Sequence, residues 1–132
     1  MIVRNLLLGL ALFPMAAFAL GIESVTLKSD DKGEAGEVVE VFIPTDQVQH
    51  FDIKLDAIKT GNHEFLVEFW AVDTTAGENL KVTEFRSKSL VTNTINAKIS
   101  LPREWPVGQY RLDVKMDGIT IGSYEYDVDD SE

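Results

Sequence analysis

From residue 94 onward, apolar and polar residues take turns along the chain. Ile95, Ala97, Ile99 and Leu101 are separated by Asn96, Lys98 and Ser100, while Tyr110, Leu112, Val114 and Met116 are separated by Arg111, Asp113 and Lys115. Successive side chains of a strand point to opposite faces, so this period of two puts one face in a core and the other in water, as antiparallel sheets do. Residues 51–57 repeat the pattern, with Phe51, Ile53, Leu55 and Ala57 set against Asp52, Lys54 and Asp56. Beyond the N-terminal segment no stretch keeps a helical period. The run Phe65 to Val72 is apolar on both faces apart from Glu68, which predicts a central strand covered on both sides.

The alternation and the turn residues between runs predict eight strands, at about 22–28, 38–43, 48–57, 63–72, 80–90, 94–101, 109–116 and 119–128. The fold class that follows is all-β, a single antiparallel sandwich of seven to eight strands. Asp117-Gly118 between two alternating runs is a strong hairpin signal, because glycine accepts the positive φ of a type I′ turn. Thr60-Gly61-Asn62 and Ala76 to Asn79 suggest two more hairpins, the first joining 48–57 to 63–72 about Lys59-Thr60. Pro44 closes the strand at 38–43, and the polar, glycine-containing piece Ser29 to Glu37 reads as a flexible surface loop.

Residues 1–19 have the make-up of a secretory signal: Arg4, an apolar run from Leu6 to Phe13, the helix-breaking Pro14 and the small-residue end Ala17-Phe18-Ala19. Cleavage after Ala19 is the expectation, because the apolar run is shorter than the roughly 18 residues of a spanning helix. No membrane insertion is then expected after cleavage. The remaining 20–132 form one domain of ordinary size with an acidic C-terminal tail, placed in the periplasm of a Gram-negative bacterium or secreted. The chain has no cysteine, which excludes a disulfide scaffold and thiol chemistry.

The whole chain has 12 Lys and Arg against 22 Asp and Glu, a net charge of −10, and losing Arg4 with the signal makes it −11. Nucleic acids and anionic membrane surfaces are poor partners for such a chain, while basic proteins and cations stay open to it. The acids gather at Asp30, Asp31, Glu34 and Glu37, and at Glu125, Asp127, Asp129, Asp130 and Glu132. Calcium takes six to eight oxygens from groups of this kind, but no ordered ligand spacing is visible, and a solvated tail is the simpler reading. Asp127, Asp129 and Asp130 are the acids best placed to face a basic protein partner.

Residues 101–114, LPREWPVGQYRLDV, pack two prolines, a tryptophan, a glycine and a tyrosine into one corner. Pro102 has no N–H to donate and ends a strand, Pro106 fixes φ, and Gly108 permits a backbone that a Cβ would oppose. Trp105 and Tyr110 then cap the open end of the sandwich. The group Trp105, Pro106, Gly108 and Tyr110 resembles the tyrosine corner of immunoglobulin-like and fibronectin type III-like domains, where a tyrosine opens the strand after a crossover between sheets. The resemblance extends over most of the domain, with Trp70 where such domains bury a tryptophan and a terminal hairpin ending Tyr124-Glu125-Tyr126. It is similar to small exported bacterial domains with a WPxGxY crossover, although the inter-sheet cysteines of antibodies are missing. The likeness implies a fold and is nearly silent on function.

Catalysis or metal binding would centre on His50 and His63, the two histidines. A hairpin about Lys59-Thr60 sets His63 near Asp56 and His50 near Phe69, too far apart to share a zinc ion, which needs converging ligands. No G-x-S-x-G elbow, P-loop, G-x-G-x-x-G or EF-hand loop is present. Trp70 and Trp105 would stack on a sugar if exposed, but their contexts point to burial. Val25 and Leu27 lie on a short strand whose exchange into another molecule is less economical than docking on its own sheet. The function expected is a non-enzymatic, monomeric binding or accessory module without a cofactor that joins a protein partner, with a ligand- or cation-binding protein as the alternative.

Overall fold

The computed structural model describes residues 21–130. The expected signal segment with Ala17 and Ala19, and Glu132 at the other end, lie outside the described residues. Six strands make up the described chain, which has no helix: β1 (Ile22–Asp31), β2 (Glu34–Val39), β3 (Val48–Thr74), β4 (Gly77–Ser100), β5 (Gly108–Met116) and β6 (Ile119–Val128).

Two of these strands are long enough to serve two sheets. The first half of β3 pairs with β1 on one side and with the end of β4 on the other, Ile53 opposite both Val25 and Ile95. The second half pairs with β5 and with the start of β4, Val67 opposite both Val114 and Phe85. The result is two four-stranded antiparallel sheets, in the orders β2-β1-β3-β4 and β4-β3-β5-β6, packed as a sandwich.

Seven of the eight strand segments expected from the alternation are therefore present, all but 38–43, and the hairpin about Lys59-Thr60 is not. Residues 48–57 and 63–72 are halves of β3, and 80–90 and 94–101 are halves of β4. Gly61 has a φ of 98° and lies at a register shift between Thr60 and His63, so the glycine makes an irregularity in a continuing ladder. A positive-φ glycine serves a bulge as readily as a turn, and a partner strand of matching length decided for the bulge.

Ser29 to Glu37 is likewise ordered ladder. β1 and β2 form a hairpin whose turn residues Lys32 and Gly33 have φ values of 56° and 93°, the two positive angles of a type I′ turn. Lysine in the first of these positions gave no recognisable signal. Asp30 supports the turn by accepting the Gly33 amide at 2.7 Å. The strand expected at 38–43 is divided: β2 ends at Val39, and the chain crosses to the other sheet, where Phe42 forms a parallel bridge with Val128.

The hairpins at Asp117-Gly118 and after Thr74 are as expected. Between the sheets lie Phe42, Phe51, Ile53, Leu55, Phe65, Val67 and Phe69 with Ile95, Leu112 and Val114, all at most 3% exposed. β1 docks on its own sheet, as the loop-closure argument favours.

Candidate functional site

The corner is built of buried groups that satisfy one another. The Trp105 amide donates to the Pro44 carbonyl at 3.0 Å, and its indole Nε1 donates to the Gln47 carbonyl at 3.1 Å. The Tyr110 hydroxyl donates to the Pro106 carbonyl at 2.6 Å, and its ring stacks on Tyr126 with centroids 5.6 Å apart. Burial pushes the Tyr110 hydroxyl up to about 12. With Trp105 and Tyr110 both at most 2% exposed, the corner offers no ring face to a ligand.

Trp70 differs from the expectation of burial. It lies half-buried on the outer face of the second sheet, with the Arg111 guanidinium 5.8 Å above its ring centroid. On the same face Glu68 receives Lys81 at 3.3 Å and Lys115 at 3.4 Å, while Arg111 pairs with Asp113 at 2.9 Å. The outer side of β3 is thus covered by no further layer among the described residues. Long cationic side chains lie over it, their stems shielding apolar surface while their heads meet carboxylates.

The histidines sit apart and not where a hairpin would have put them. His50 is buried in the first sheet, opposite Lys28 and Lys98 instead of Phe69. His63 lies in the second sheet, its Nδ1 2.7 Å from Asp117 Oδ2 instead of near Asp56. The same carboxylate accepts the Glu64 amide at 3.0 Å, and these bonds, the backbone one first, hold Asp117 below the usual carboxylate range. The pair fastens β3 to the β5–β6 turn.

The acids are dispersed. Asp30 caps the β1–β2 turn, and Asp46 accepts the amides of Asp30 at 3.2 Å and Ile43 at 3.0 Å. No group of three or more metal-binding side chains occurs among the described residues. The tail begins inside the fold: the Asp127 carbonyl accepts the Phe42 amide at 3.2 Å, and the Asp129 amide donates to the Phe42 carbonyl at 2.9 Å. Asp127 and Asp130 are exposed. No helix among the described residues is long and apolar enough to cross a membrane.

The edge of β1 is a feature that no run of residues signals. β3 pairs with β1 from Ile22 to Lys28, but β2 covers the opposite edge of β1 only from Leu27 to Asp31. Where β2 leaves for the other sheet, a cleft of about 440 Å3 opens, lined by Val25, Leu27, Val38, Val39, Glu40 and Tyr124 among others. Val38 is 66% exposed and Val41 39%. Single exposed valines carry no signal in a sequence, and only the crossover sets Val38 at this cleft. The chain matches no protein-family model and no curated protein.

Proposed function

We propose that the protein is an exported immunoglobulin-like module without chemistry of its own that binds another protein in the periplasm. The distribution of strands supports the immunoglobulin-like part. With β2 set aside, seven segments remain: the first, second and fifth lie in one sheet and the third, sixth and seventh in the other, as in that plan. The fourth joins the third instead of the fifth. Tyr110 opens the sixth segment and bonds back to Pro106, the geometry of a tyrosine corner.

The observation that carries the binding role is the uncovered half of the β1 edge beside exposed valines. An open edge beside a partly apolar cleft is a template for another chain. The test is a photo-crosslinking residue at Val38 in the full-length protein, expressed in the cells that make it, followed by mass spectrometry of the products. Repeated crosslinks to one envelope protein support the role. Crosslinks scattered in proportion to abundance, or none, refute it.

A further inference from the structure

We infer that the free edge of β1 between Glu23 and Thr26 receives a short extended segment of a partner protein, apolar at its centre and basic at its flanks. This rests on the proposal that the protein is a binding module, and it specifies where and what it binds.

The slot has two fixed ends. At one, Ile22 packs so closely on Gly122 that a Cβ there would lie 2.7 Å from the isoleucine side chain, and Gly21 is pressed equally against Ile121. At the other, the chain leaves β2 after Val39 and bridges to β6 at Phe42. Between these closures β1 has a partner among the described residues on its β3 side only: Ser24, Val25 and Thr26 lie opposite Lys54, Ile53 and Asp52. Four residues of strand span on the order of 13 Å, so the slot holds four or five residues of an added strand lying in line with β2.

The chemistry of the walls selects the occupant. Val25 is half-buried, and with Val38, Val39 and Tyr124 it supplies the apolar half of a cleft that Thr26 and Glu40 also line, with room for a bulky side chain projecting from the added strand. Glu40 is exposed at the rim and close enough to Tyr124 for its charge to help raise that hydroxyl above its usual range, after burial. Glu37 is exposed on the adjoining strand, and the whole chain has a net charge of −10. A second copy would bring this charge against itself, whereas Lys or Arg flanking an apolar centre meets it with the opposite sign. Main-chain hydrogen bonds supply affinity in strand addition, and the pocket and rim supply selection.

The test is a titration of the isotope-labelled, full-length protein with the peptide Lys-Val-Lys-Phe-Lys-Val-Lys, followed by amide NMR. Controls are the same peptide with glutamate for lysine and with proline for the central phenylalanine. The lysine peptide should shift the amides of Glu23 to Thr26 and of Val39 and Glu40, and the controls should bind at least about tenfold more weakly. Glu40→Lys and Val38→Asp change exposed side chains, so the melting temperature should hold while binding falls by about tenfold. No shifts at millimolar peptide would overturn the inference, as would shifts centred on Trp70 or on Asp127 to Asp130. Shifts at Glu23 to Thr26 that appear on concentrating the protein alone would replace the partner with a second copy. A partner crosslinked from Val38 whose capture survives both substitutions would keep the binding role and remove this slot.

Discussion

The Tyr110 hydroxyl donates a 2.6 Å hydrogen bond to the carbonyl of Pro106, four residues earlier in the chain. One bond thereby fixes the exit of the crossover to the start of β5. Tyr110→Phe keeps the ring, with its stacking on Tyr126, and removes only the donor. The expected loss is about 1 to 2 kcal/mol, the net value of one bond plus the cost of an unpaired carbonyl, read from the denaturant midpoint. An unchanged midpoint would mean that the bond is replaced by water at no cost.

Gly108 stands two residues before that tyrosine with a φ of 145°, and a Cβ built there would lie 2.3 Å from the Asp73 carbonyl oxygen. The obstacle is backbone on a paired strand and cannot rotate away. Gly108→Ala should therefore cost about 3 kcal/mol or more, combining an unfavourable φ with overpacking. A thermal melt within a degree or two of the parent would contradict the close approach.

Gln49 is fully buried, and neither amide atom has a hydrogen-bond partner among the described residues. Methionine has nearly the same length and nothing to desolvate. Gln49→Met is expected to raise stability by about 1 kcal/mol in chemical denaturation. A loss would show that the amide is bonded in solution.

All three tyrosines hold their protons more tightly in the folded chain. Burial takes Tyr110 to about 12, Tyr126 well above its ordinary value and Tyr124 upward, the last also under the charge of Glu40. A raised value stabilises the fold fully below the unfolded value of about 10, and the contribution is lost as pH rises through the folded values. Phenolate absorbance near pH 10 should be small in the native protein and about half-developed in the unfolded chain. Equal titrations of the two forms would exclude the effect.

Asp117 works in the opposite direction. Its lowered value stabilises the fold above the ordinary carboxylate range, and the contribution disappears as pH falls below about 4. Asp117→Asn suits the positive φ of 52° and so spares the turn, while it deletes the charge facing His63. The acid side of the melting-temperature profile should become flatter in the variant. Superimposable profiles would show that the pair contributes nothing to acid sensitivity.

The sequence by itself determined the class of fold, because period-two alternation such as Ile95-Ala97-Ile99 can bury its apolar side only in a sheet. It also marked the corner, since Pro102, Pro106 and Gly108 each restrict or release the backbone by their own covalent structure. Tertiary structure decided what local chemistry leaves open. Gly61 became a bulge because β4 continued alongside, and Lys32-Gly33 became a turn because β2 had a partner in β1. Trp70 lies half-buried on the outer face because Phe69 and Ala71 on either side of it face the core, and Arg111 came to lie over its ring. The half-open edge of β1 depends on where β2 departs for the other sheet, a relation between strands distant in space that no single segment encodes. A residue's own backbone preferences act over a few neighbours, whereas pairing, coverage and clefts arise from which segments meet, and that is settled only when the whole core is buried together.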